Sequence, residues 1–142
     1  MIDHNRLSKS HRAYFKAAKA MSELSDFPKV KIGCCAVYKH KIISSGCNSM
    51  KTNPTQKRLN AYRFNEDTPA TLHAEISCLL PLINRKDIDF RDVSLYIYRE
   101  YKNGRLTLSK PCPSCMALIR ELGIRKIHYS GDDSYISEEL VY

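Results

Sequence analysis

The hydrophobic pattern divides the chain into short helical and extended stretches. Ala13, Phe15, Ala17, Ala18, Met21 and Leu24 recur at spacings that suit a helix with one buried side, over about residues 9–24. A hydroxyl cap in Ser8-Lys9-Ser10 opens it, and Pro28, which disfavours helical geometry in Phe27, closes it. Val30, Ile32, Cys34, Ala36 and Tyr38 then alternate with their neighbours, and Ile42-Ile43 follows Lys39-His40-Lys41, the signature of a hairpin. Cys34 and Cys35, being adjacent in a strand, point to opposite faces and read as small packing residues. A second helical spacing runs from Thr71 to Asn84 through Leu72, Ile76, Leu79, Leu80 and Ile83, with Thr68 or Thr71 as cap and Pro81 forcing a kink or an early end. Val93–Tyr98 is the clearest strand. Pro113–Leu122 is a third helix stopped by Gly123, Ile124–Tyr129 a fourth strand, and Ser134–Tyr142 a fifth. The pattern therefore predicts an α/β chain with five strands, and the length suits one compact domain over residues 1–142.

One segment escapes the periodicity. After Gly46-Cys47-Asn48-Ser49-Met50-Lys51 the chain is polar and proline-bearing from Thr52 to Pro69, with Lys51, Lys57, Arg58 and Arg63 interleaved with Tyr62 and Phe64. A loop of that length in a small domain is functional or hides a short element. Its cations and rings can grip a phosphate and stack a base, or simply cover the core.

Charge sharpens this. Residues 1–63 carry 13 Lys/Arg against 3 Asp/Glu, a net +10, within a chain whose total is +8. So lopsided a distribution favours a polyanion or a phosphorylated small molecule, with a solvated, solubilising surface as the alternative. No run of 18 apolar residues and no apolar N-terminal segment occurs, so the sequence predicts neither a membrane span nor a secretory signal, and places the protein in the cytoplasm. In that reducing setting its six cysteines read as buried or metal-binding residues, not as disulfides.

Two short stretches carry chemistry. His73-Ala74-Glu75 and Pro111-Cys112-Pro113-Ser114-Cys115 offer one imidazole and two thiols, enough for a zinc ion with one position left open. Cys112 and Cys115, three apart at a helix start, can turn both sulfurs to one point, and the helix end favours their thiolates. His73 and Glu75 diverge by about 200 degrees in a regular helix. Both can serve one centre only if His73 precedes the helix. An open zinc makes water acidic near neutral pH, which leaves Glu75 free to take and return its proton. The reaction this suits is hydrolytic attack on an electrophilic carbon with loss of a poor leaving group such as ammonia. A closed structural site completed by Cys78, Cys47 or another cysteine is the competing reading, and leaves Glu75 without a task.

In these motifs, H-x-E followed by P-C-x-x-C, the chain resembles the cytidine deaminase-like zinc-dependent deaminases, and its order of elements is similar over most of its length. The resemblance implies a three-layer α/β fold, a mixed five-stranded sheet flanked by helices. It implies one Zn2+ per chain, with a bound water or hydroxide, held by His73, Cys112 and Cys115. It implies hydroxide attack at cytosine C4 with Glu75 protonating N3 and then the amine, and peptide N–H groups near Ala74 and Cys112 on the pyrimidine carbonyl. Asn48, after the second strand, matches an asparagine that contacts the sugar in free-cytidine members. Where those members continue with an acidic residue this chain has Met50 and Lys51, and Leu108 replaces a threonine common in deoxycytidylate and transfer-RNA deaminases. Lys51, and Arg58 beyond it, suit a substrate phosphate. The expected substrate is a cytosine nucleoside or nucleotide, bound by a homo-oligomer with no membrane contact. The alternatives are single-stranded DNA or RNA bearing cytosine or adenine, embraced by the basic half and by the Tyr101–Lys110 loop, and a non-catalytic zinc-binding module.

Overall fold

In a computed structural model, the structure describes residues 8–62 and 70–142. Its frame is a five-stranded sheet in the order β2-β1-β5-β6-β7. The strands are β1 (Lys31–Tyr38), β2 (Lys41–Cys47), β5 (Val93–Glu100), β6 (Lys126–Ser130) and β7 (Tyr135–Glu139). The β5/β6 pair is parallel and the rest are antiparallel, which makes the sheet mixed, as expected.

The central strands are buried on both faces, which explains the near-continuous apolar runs in β1 and β5. Cys34, Ala36, Leu95 and Ile97 face one core with Ile76, Leu79, Leu118 and Ile119. Cys35, Val37, Tyr96 and Tyr98 face another with Phe15 and Ala18 of α1 (Lys9–Ser22). The three expected layers are thus α1, the sheet, and a layer holding α3 (Ala74–Leu79) and α4 (Pro113–Leu122). Cys34 and Cys35 are fully buried on opposite faces, as packing residues should be.

Helix α1 starts at the predicted hydroxyl, where Ser8 accepts the His11 N–H. It ends two residues early, however, and Ala13 and Leu24 are exposed: its buried stripe is Phe15, Ala18 and Ser22. The hairpin turns on Lys39 and His40, both left-handed (φ 51° and 64°) although neither is glycine.

The unpatterned segment contains a short antiparallel pair, β3 (Ser49–Thr52) with β4 (Thr71–Leu72), and a helix α2 (Pro54–Leu59) followed by a 3₁₀ turn at Asn60–Tyr62. Arg63, Phe64 and Thr68 lie outside the described residues. The predicted Thr71–Asn84 helix is corrected at its front: Thr71 and Leu72 form β4, and α3 begins only at Ala74. Its early end is as expected, a 3₁₀ turn holding Pro81 replacing the helix after Leu79.

Helix α4 and its left-handed stop at Gly123 (φ 90°) follow the prediction, and β7 pairs back along β6 as the fifth strand. None of the described helices is long and apolar enough to cross a membrane.

Candidate active site

Two helix starts bring the motif residues together. His73 is the N-cap of α3 with extended backbone (φ −84°, ψ 154°), so it precedes the helix as the two-residue spacing to Glu75 requires. Cys112 is the N-cap of α4 in the same way (φ −69°, ψ 169°). The chain is then free to aim both side chains inward, where a helical residue in each place would point away.

Packing sets how close the helices come. Gly46 of β2 lies so near α3 that a Cβ there would meet Cys78 N at 2.6 Å and Ser77 C at 2.8 Å. Only glycine allows that approach, and it seats α3 on the sheet. On the other side, a buried hydroxyl knot holds the segment leading to Cys112. Ser109 Oγ donates to the Ile97 carbonyl (3.0 Å), and Ser130 Oγ donates to the Thr107 carbonyl (2.7 Å).

His73 Nδ1 lies 3.4 Å from Cys112 Sγ and 3.3 Å from Cys115 Sγ, and all three atoms fall within 4.8 Å of one another. Neighbouring ligands of one tetrahedral zinc stand roughly 3.5–4 Å apart, so the donor set fits that ion in both chemistry and spacing. Among the described residues the group stops at three, and neither Cys78 nor Cys47 joins it. The closed four-ligand reading therefore lacks a third cysteine to complete it among the described residues.

Its neighbours Cys115, His73 and Ser114 pull Cys112 down to about 3, while the neighbouring Cys112 and burial hold Cys115 well above the usual thiol value. A ready thiolate beside a thiol is a pair that a cation can convert to two ligands.

Glu75 is buried beside this group without being part of it (5% exposed). Burial pushes its carboxyl up; His73 pulls it down and Cys112 pushes it further up. A carboxyl so placed is suited to hold a proton and release it.

The other predicted residues stand outside the three-donor group. Asn48 is buried, with Oδ1 accepting from Ser25 Oγ (2.6 Å) and Ile32 N (3.0 Å) while Nδ2 donates to the Val30 carbonyl (2.9 Å). Its amide ties the end of α1 to β1, and both lone pairs of its oxygen are taken. Ala74 is the buried first residue of α3, and Lys51 is exposed on β3, beside the strand that delivers His73. Arg58 pairs with Glu121 of α4 at 3.7 Å, both half-exposed. The Tyr101–Lys110 loop folds back on the sheet through a Glu100–Leu106 bridge, and Lys110 pairs with Glu138 at 3.6 Å. Gln56 of α2 went unnoticed in the sequence. It is fully buried and accepts the backbone N–H of His73 at 3.0 Å.

Residues 8–130 match the family described as cytidine and deoxycytidylate deaminase zinc-binding region. The chain belongs to that family. Its members are zinc-dependent deaminases that act on cytosine compounds. The mouse deoxycytidylate deaminase is 29% identical over 133 residues, and the human enzyme 25%; each alignment covers 89% of this chain and 67% of the relative. Among solved structures, the dCMP deaminase of cyanophage S-TIM5 in complex with dCMP and dUMP superposes with a TM-score of 0.60 at 20% identity, covering 87% of this chain and 82% of that one. Cytidine deaminase from Burkholderia pseudomallei gives 0.61 at 19%, covering 91% of each. These likenesses establish the deaminase fold.

Proposed function

We propose that this family member hydrolyses the C4 amino group of a free cytosine nucleotide, deoxycytidylate in type, giving the uracil form and ammonia. The observation that carries the reading is the three-atom donor group at two helix starts with Glu75 buried beside it and outside it. The identities to deoxycytidylate deaminases and the exposed Lys51 support a substrate with a phosphate.

His73 Nδ1 and the sulfurs of Cys112 and Cys115 would hold one zinc ion, whose Lewis acidity makes water a nucleophile near neutral pH. Glu75 accepts the first proton of that water and delivers it to ring N3 as the oxygen bonds to C4. It then carries the second proton to the exocyclic nitrogen, the C4–N bond breaks, and ammonia leaves with Glu75 again a carboxylate. One water is consumed for each ammonia released. The peptide N–H of Ala74 is the donor assigned to the pyrimidine carbonyl, and Lys51 the cation assigned to the phosphate. Arg58, already paired, has at most a secondary part, and Asn48 serves the α1–β1 junction in place of the sugar.

The basic N-terminal half favours one second reading, a single-stranded nucleic acid substrate. Ammonia release should be compared across cytidine, deoxycytidine, their monophosphates and single-stranded oligonucleotides. Turnover of the monophosphates with little on oligonucleotides is the expected outcome. Activity confined to oligonucleotides, falling steeply with salt, would replace this reading with the second.

A further inference from the structure

The buried amide of Gln56 sits between α2 and the residue that opens α3. Its Oε1 accepts the His73 N–H at 3.0 Å and its Nε2 donates to Asn60 Oδ1 at 2.9 Å, with no solvent exposure. The orientation of this amide follows from its partners, because a backbone N–H can only donate and so requires the oxygen at that end. Helix α2 is itself anchored on both sides of the contact. Asn53 caps it through Thr55 N (2.9 Å) and Gln56 N (3.3 Å), and the Asn53 N–H donates to the Ala70 carbonyl (3.0 Å) at the start of the segment leading to His73.

His73 is an N-cap whose side chain makes no capping bond, because its Nδ1 is turned to the two sulfurs. The peptide plane before His73 therefore helps to decide where the imidazole points. Gln56 supplies a side-chain acceptor to that plane.

We propose that Gln56 is a positioning residue for the metal centre: by gripping the His73 N–H it holds the extended backbone from which Nδ1 reaches Cys112 and Cys115. The inference rests on His73, Cys112 and Cys115 being the ligand set. It gives the otherwise unpatterned 53–62 segment a task within the reaction, without contact to the substrate.

The test is metal binding, read apart from turnover. Zinc affinity is measured on purified full-length protein by competition with a chromophoric chelator, and ligand geometry from the visible bands of the cobalt(II) form. Gln56→Leu should weaken zinc about 10-fold to 100-fold and shift the cobalt bands, the scale of loss seen when a partner that orients a ligand is removed. Gln56→Glu, which keeps an acceptor at the same reach, should recover most of the affinity. Ile127→Val in the β6 core, a control that destabilises without touching this contact, should leave affinity and bands unchanged. Should Gln56→Leu fail to fold, Asn60→Ala, which frees the far end of the amide, carries the test with a smaller loss in the same direction. Wild-type affinity and bands in a folded Gln56→Leu or Asn60→Ala overturn the proposal. If instead His73→Ala binds zinc as the parent does, the ligand set itself is wrong and both readings fall.

Discussion

At the scale of single residues, two buried polar side chains that sit within 30 residues of each other do unlike work. Glu75 is buried with its carboxyl pushed up, at the side of a three-donor group. Replacing it with Gln keeps shape and removes the proton carrier. Glu75→Gln should still bind one zinc per chain, measured by metal analysis, while ammonia release falls by at least about 100-fold. Asn48 is buried among three partners, Ser25 and Val30 in the link between α1 and β1 and Ile32 in β1. Asn48→Ala should cost about 2 kcal/mol in urea unfolding, since it strands the Ile32 N–H and the Val30 carbonyl, while KM for the nucleotide stays within a few-fold of the parent. A large rise in KM at unchanged stability would return Asn48 to the sugar. The sequence could set Glu75 beside the donor group because its spacing from His73 is local. It could not place Asn48, because hydrogen bonds to residues 16 to 23 positions away leave no local pattern.

At the scale of elements, the site depends on how tightly α3 lies on the sheet and on where it begins. Gly46 admits the backbone of Ser77 and Cys78. Gly46→Ala should push α3 outward, destabilising the fold by about 1–3 kcal/mol in chemical denaturation and lowering zinc affinity with it, since His73 rides on that helix. The predicted helix from Thr71 was three residues too long at its front because Leu72 fits the apolar spacing of the stretch that follows. Its pairing with Ser49, across a gap of more than twenty residues, won over local propensity. Helix α2 was missed for the opposite reason. At six residues it is too short to show a period, and its buried Gln56 is a polar residue that a hydrophobic pattern counts as surface.

At the scale of the whole molecule, the two faces of the sheet bury different chemistry. The α1 face carries a stack of His128 on Tyr96 (centroids 4.4 Å), with His11 edge-on at 4.7 Å from His128. Burial, and then the charges of His11 and Lys126, lower His128 to about 4 from an ordinary value near 6.5. The folded protein thus binds fewer protons than the unfolded chain between those two values, so stability is full above about pH 6.5 and declines as pH falls towards 4. Unfolding by urea across pH 4–7 should show this loss, on the order of 1–3 kcal/mol, and His128→Gln should flatten it. A slope unchanged by His128→Gln would assign the acid loss to other groups.

The sequence alone carried the candidate chemistry and most of the frame. The donor types, the separate carboxylate, the five strands and the helix stops are written in local spacing, and local spacing is what short-range sterics and hydrogen bonds read. Tertiary structure decided what those parts meet. It set the extended backbone that lets His73 face two sulfurs 39 and 42 positions away, the glycine contact that seats α3, the diversion of Asn48 to a structural joint, and the grip of Gln56 on the His73 peptide. Each is a contact between residues far apart in the chain, made favourable only once the sheet has brought them together. Until then nothing near either residue records its partner.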